Sequence, residues 1–136
     1  MEKALAAISS RVRTAATVDV GFMADSTYPS GESVAKIAAL NEFGSEKAPP
    51  RPFFRGMIND KSGEWPDAVA GLLKSNHYDG RRTLEQTGAA IKGQLQEAIT
   101  VYVGPPLSPV TIAKKGHDKA LIDSGVMLRS VDYRVE

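Results

Sequence analysis

Cysteine is absent from the 136-residue chain. Its absence excludes disulfides, thiolate metal sites and cysteine nucleophiles together, and suits assembly in a reducing cytoplasm. An excess of charge of one sign is also lacking, because 17 basic and 16 acidic side chains leave a net +1. No global field therefore draws the chain onto nucleic acid or anionic lipid. No apolar run reaches the length of a membrane span, and the opening Met1-Glu2-Lys3-Ala4-Leu5 is charged where a signal peptide is apolar.

The poverty in catalytic residue types continues with histidine, of which there are 2. His77-Tyr78-Asp79 and His117-Asp118 are the places where an imidazole adjoins a carboxylate, and adjacent loop residues seldom converge on one ion. A zinc site needs three or four converging ligands, so both histidines read as exposed loop residues. Ser124, in Asp123-Ser124-Gly125, lacks the flanking glycines of a hydrolase elbow and an assignable base. Gly21, Gly31 and Gly44 are isolated, and Lys115-Gly116 has no upstream glycine, so no phosphate-cradling loop is present. A small hydrolase using His77 or His117 ranks last among the possible functions, and neither a metal nor another cofactor is expected.

What is present is a regular pattern of elements. Leu5, Ile8 and Val12 fall at helical spacing between Glu2 and Thr14. Thr17 to Met23 alternates Val18, Val20 and Phe22 against Asp19 and Gly21, as a half-buried strand does. Tyr28-Pro29-Ser30-Gly31 reads as a turn, a candidate for the tip of a hairpin. Ser33 is placed to cap a helix whose apolar stripe is Val34, Ile37, Ala38 and Leu40 or Asn41, ending with Phe43 and Gly44.

Pro49, Pro50 and Pro52 stiffen the next segment, since each fixes its own backbone angle and restrains the residue before it. Phe54, Met57, Ile58, Trp65, Ala68, Val69, Leu72 and Leu73 form a helical stripe interrupted by Gly63 and Pro66, which predicts a kink or a fresh helix near Pro66. Arg81 to Tyr102 carries the longest helical pattern, with Leu84, Ala90 or Ile91, Leu95, Ala98, Ile99 and Tyr102 facing inward. Gly88 and Gly93 inside it point to a close crossing or to a helix held by packing. Gly104-Pro105-Pro106 ends it. A brief helix from Pro109 to Lys115, a turn capped by Asp123, and a last strand from Ser130 to Glu136 complete the chain.

These elements predict a single domain over residues 1–136 of α+β class. Its small antiparallel sheet, made of the first and last strands, packs against amphipathic helices. Phe53 and Phe54 are adjacent, so at least one faces inward and the other is free. Arg51 and Arg55 flank them, and arginine beside an aromatic is a composition enriched at protein interfaces. Further basic pairs stand at Arg11 with Arg13, Arg81 with Arg82, and Lys114 with Lys115. Displayed on one face they would suit a nucleic-acid module; balanced by acids they are solvated surface.

Several blocks together give the chain a resemblance. Val34-Ala35-Lys36-Ile37-Ala38 runs into Asn41-Glu42-Phe43-Gly44, followed by Pro50-Arg51-Pro52-Phe53-Phe54-Arg55. Pro106-Leu107-Ser108-Pro109 then leads through Lys115-Gly116 to Leu121-Ile122-Asp123-Ser124-Gly125. In this order the blocks resemble the neck and tail-completion (virion morphogenesis) proteins of long-tailed bacteriophages of the Mu-like and lambdoid type. Two departures are Lys119-Ala120-Leu121, where a proline often precedes the leucine, and Val126-Met127-Leu128 after the glycine.

The resemblance implies a structural subunit without enzymatic activity. It would form a homo-oligomeric ring, a hexamer or dodecamer, at the head-tail junction, as a neck, tail-completion or tail-tube-terminating protein through which DNA passes. The implied partners are head-closure or connector proteins, tail-tube or tail-terminator proteins, and DNA in transient non-specific contact, with no membrane. The location is the virion neck, after assembly in the host cytoplasm. Arg51, Phe53, Phe54 and Arg55 are the expected subunit contacts, with Pro50 and Pro52 in the same arm and Glu42 and Phe43 supporting the turn. An exposed strand edge adding to a neighbour's sheet is the other way for such a ring to close. The alternative function, of a different class, is a small nucleic-acid-binding module using the arginine pairs.

Overall fold

Two short strands at opposite ends of the chain pair with each other, and the longest helix lies across them. In the computed structural model, residues 2–46, 48–101 and 125–136 are described. In chain order the elements are α1 (Glu2–Val12), β1 (Val18–Phe22), α2 (Val34–Phe43) and α3 (Phe53–Lys61). A 3-10 turn (Ser62–Glu64) then leads to α4 (Trp65–Ser75), α5 (Gly80–Val101), the single turn α6 (Val126–Arg129) and β2 (Val131–Val135). The expected inward-facing Tyr102, the stop at Gly104, the helix from Pro109 and the Asp123 cap lie outside the described residues, as do Lys114, Lys115, His117 and Ser124.

The strands are antiparallel, with Val18 opposite Val135, Val20 opposite Tyr133 and Phe22 opposite Val131. Period-two alternation puts these six on one face, and that face packs on α5. Asp19 and Arg134 pair on the other face at 4.0 Å. The core joins Val34 and Ala38 of α2, Phe53 and Met57 of α3, Leu95 and Ile99 of α5, Met127 of α6 and Val131 of β2. The expected α+β architecture, with first and last strands joined and helices against them, is therefore what forms.

Local chemistry accounts for most of the boundaries. Ser33 accepts the Lys36 amide at 3.3 Å and so starts α2. The Tyr28-Gly31 turn closes with the Gly31 amide on the Tyr28 carbonyl at 2.8 Å. It closes a loop bridged at Thr27 and Ser33, however, and not a hairpin of β1, whose partner is β2. Pro66 begins a fresh helix in the first turn of α4, where its missing amide costs nothing.

One detail departs from the pattern expected of the sequence, and two others settle alternatives that it left open. Leu40 lies 44% exposed rather than in the core, because the buried line of α2 is Val34, Ala38 and Glu42. On α5, Ala90 is exposed and Ile91 turns inward. The two glycines of α5 also differ from each other. A Cβ on Gly88 would stand 2.6 Å from the Tyr133 ring and 2.8 Å from a Val18 methyl, whereas one on Gly93 would meet nothing within 4 Å. Only Gly88 marks the close crossing of helix and sheet.

Gly88→Ala should accordingly destabilise the fold by about 1–3 kcal/mol through overpacking. Gly93→Ala should stabilise it by about 0.5–1 kcal/mol through helix propensity. Urea titrations of the two variants give opposite shifts in midpoint if the crossing is where the structure has it.

Candidate functional site

The two most distinctive blocks of the sequence, Asn41-Glu42-Phe43-Gly44 and Pro50-Arg51-Pro52-Phe53-Phe54-Arg55, meet in space. The meeting begins with a defect in α3. Its N-cap is Pro52, which offers no side-chain acceptor, so the first amides of the helix need a partner from elsewhere. Glu42 supplies it from the end of α2. Its carboxylate accepts the Phe54 amide at 3.0 Å through Oε2 and the Arg55 amide at 2.9 Å through Oε1. Arg55 folds back as well, donating Nε to Glu42 Oε1 at 2.8 Å and a terminal nitrogen to the Glu42 carbonyl at 2.9 Å.

An anion is thus held at the positive end of a helix and beside a guanidinium, both of which favour its charge. The Glu42 side chain is only 7% exposed, against 56% for Arg55. Burial without these donors would be prohibitive; with them both carboxylate oxygens are hydrogen-bonded. Hydrogen bonds to a charged group contribute about 1.5–3 kcal/mol each, so the clamp ranks among the stronger local interactions of the chain.

The loop between the blocks is fixed at three more points. The Arg51 amide donates to the Asn41 carbonyl at 2.6 Å, and Ser45 and Ala48 exchange backbone hydrogen bonds at 2.9 and 3.3 Å. Gly44 closes α2 with its amide on the Leu40 carbonyl at 2.9 Å. Its φ of +80° is open to glycine, and a Cβ there would approach Pro50 N to 2.8 Å. The glycine after Phe43 is thus required by backbone conformation and by the neighbouring proline alike.

With the clamp in place, the expected contact residues divide. Phe53 is buried and stands edge-on to Phe22, centroids 6.2 Å apart. Phe54 is half-buried and lies over Gly21 of β1, so the adjacent phenylalanines straddle one end of the strand. Pro52 is half-buried and Pro50 exposed. Phe43 is 66% exposed, and the Arg55 guanidinium lies 4.8 Å from its ring centroid. Between α2 and α3 runs a groove of about 320 Å³, lined by Phe22, Ala35, Ala38, Ala39, Phe53 and Phe54, with Phe43 and Arg55 at its edge.

Arg51 is the anomaly of the block. It is 9% exposed, and its Nε has no hydrogen-bond partner. Among the described residues its guanidinium makes no ion pair. A buried nitrogen without a hydrogen-bond partner calls for a specific explanation.

The role of Glu42 as a helix cap was not read from the sequence, where it only supported a turn. The signal was available: a helix launched by Pro-Arg-Pro carries no Ser, Thr, Asp or Asn at its start, and a missing local cap implies a distant one.

A second cluster lies where α1 meets α5. Thr14 accepts the Arg81 amide at 2.8 Å, and the Arg11 guanidinium donates to the His77 carbonyl at 3.3 Å. His77 and Tyr78 adopt positive φ, 51° and 65°, to turn the chain into α5. His77 is thus an exposed turn residue, and among the described residues no group of three or more His, Asp or Glu side chains converges as a metal site would. Asp79 caps α5, accepting the Arg82 amide at 3.1 Å. That hydrogen bond is the main cause holding its carboxyl below the usual aspartate value. Burial opposes the shift, while the Thr14 hydroxyl, the Arg81 amide and the Arg82 charge add to it.

A scan against protein-family models, a search of curated proteins and a search of solved structures each found no match to this chain.

Replacing Glu42 by alanine should lower stability by about 2–3 kcal/mol, since it strands two amides at the head of α3. Arg55→Ala should cost no more than about 1 kcal/mol, as for an exposed ion-pair partner. Equal losses in denaturant titrations would mean that the ion pair, and not the helix cap, holds the blocks together. For Asp79, a carboxyl with a lowered pKa contributes stability above its unfolded value, which is lost as pH falls through the folded one. Thermal melts should therefore show the wild type losing more stability than Asp79→Asn as the pH drops below about 4.

Proposed function

We propose that the chain is a non-enzymatic structural subunit of a long-tailed bacteriophage, assembling as a homo-oligomeric ring at the head-tail junction. In this reading it docks to head-closure or connector proteins on one side and to tail-tube or tail-terminator proteins on the other, with DNA passing through the ring. It works in the host cytoplasm during assembly and in the virion neck thereafter.

The observation that carries the reading is the exposed Phe43. It is the aromatic of the Asn-Glu-Phe-Gly block, it lies at the edge of an apolar groove, and the buried Glu42 beside it fixes its backbone. A large aromatic presented on a rigid frame with arginine over its face is the composition that dominates interface energetics. Little conformational entropy remains to be lost on docking, because the clamp and the prolines have already ordered the loop.

Arg51 supports the same reading. Its missing counter-charge is supplied, on this account, by a carboxylate of an adjoining subunit, as heterologous ring contacts require a receiving group on one face and a projecting one on the other. The contact residues are then Phe43, Pro50, Arg51 and Arg55. Phe53 and Glu42 build the frame that presents them.

Arg51→Met separates assembly from folding. The isolated variant should melt at or above the wild-type temperature, because a buried nitrogen without a hydrogen-bond partner has been replaced by an apolar chain. Complementation of a phage lacking the protein should fail, with filled heads and free tails seen by electron microscopy. Phe43→Asp should give the same phenotype with an unchanged melting temperature. Normal virions from both variants would sink the proposal.

A further inference from the structure

Arginines gather where α1 meets α5, in a way that the stability of the subunit does not account for. Arg11 lies in the last turn of α1 and Arg13 in the turn that follows it, and Arg81 and Arg82 occupy the first turn of α5. Two pairs far apart in sequence are thereby brought to one edge. The junction is rigid: the Arg81 amide binds Thr14 at 2.8 Å, and Gly80 packs so closely on the Val12 carbonyl that a Cβ would collide with it. All four arginines are exposed, and among the described residues none is ion-paired.

Arg11 suits its place, since a cation at a helix C-terminus is favoured by the dipole. Arg81 and Arg82 do not. They sit at the positive end of a 22-residue helix whose first turn holds no acid. Asp79 offsets part of that charge, but its carboxylate is already engaged by the Arg82 amide and the Thr14 hydroxyl. Glu85 is the other acid beside the pair. Asp79 and Glu85 stand beside Arg81 and Arg82, and Arg11 and Arg13 on the adjoining segment add two further cations, so the surplus along the edge is positive. Cations kept where the helix disfavours them point to an anion brought from outside.

We infer that this edge contacts the phosphate backbone of duplex DNA, without reading its sequence. Guanidinium forks match phosphate oxygens in a way that ammonium groups do not. The side chains that line the hollow with Arg81 and Arg82, namely Thr14, Glu85 and Gln86, are polar. The choice of duplex DNA as the anion rests on the ring reading above, in which each subunit borders the DNA path. Near-neutral net charge is no obstacle, because the phosphate term depends on the local contacts and not on the total.

The test is fluorescence anisotropy of the purified full chain with a labelled duplex of arbitrary sequence, titrated across salt concentration. Four phosphate contacts give a slope of about −3 to −4 in the logarithm of affinity against that of salt. Arg81→Gln/Arg82→Gln and Arg11→Gln/Arg13→Gln should each flatten that slope by about two. Arg134→Gln, whose guanidinium lies 3.1 Å from Glu136, should leave it unchanged. Absence of binding at low salt, equal weakening by Arg134→Gln, or binding to phosphatidylserine vesicles but not to duplex would each overturn the inference. Because this assay needs no assembled ring, its failure leaves the head-tail phenotype of the Phe43 and Arg51 variants to judge the assembly reading separately.

Discussion

The Glu42 carboxylate at the head of α3 is the constraint on which the rest of the candidate site depends. Pro52 leaves that helix without a cap of its own, and the acid at the end of α2 completes it across the loop. One interaction therefore fixes the angle at which α2 and α3 meet, the path of the proline loop between them, and the display of Phe43. Arg55 contributes less to folding than to geometry. It covers the outer side of Glu42 while its guanidinium lies against the Phe43 ring.

That dependence explains why two separate motifs occur in one chain. Gly44 makes room for Pro50, Asn41 accepts the Arg51 amide, and Glu42 receives α3. Each residue of the first block has its complement in the second. The pair behaves as one structural unit, in which Phe53 and Phe54 secure the assembly to β1 and Phe43 is left outside.

The architecture was largely legible in the sequence because its signals are local. Alternating Val18, Val20 and Phe22 marked one strand, Val131, Tyr133 and Val135 the other, and Ser33 and Pro66 marked helix starts. What escaped was non-local or chemically disguised. Thr83 and Thr87 are buried on α5, although a search for apolar periodicity passes over them. Their hydroxyls are satisfied by carbonyls one turn back, at 2.7 and 2.8 Å, which lets them behave as core residues. Leu40 matched the helical period, but the stripe beneath it turned toward Glu42, since the carboxylate needed the helix end more than the leucine needed burial. Nor did spacing reveal that Arg51 would be buried, because its environment is made by the fold and not by its neighbours in sequence.

The functional reading joins a folded core to two surfaces of different chemistry: an aromatic and arginine edge at α2 and α3, and an arginine edge at α1 and α5. A ring subunit has need of both, one for its neighbours and one for what passes between them. The central claim is assembly through the first. Its most direct measurement is the molar mass of the purified protein by light scattering, alone and with isolated phage tails. The account predicts a closed oligomer of defined copy number, free or on the tails. A monomer under both conditions, with no association with tails, would contradict it.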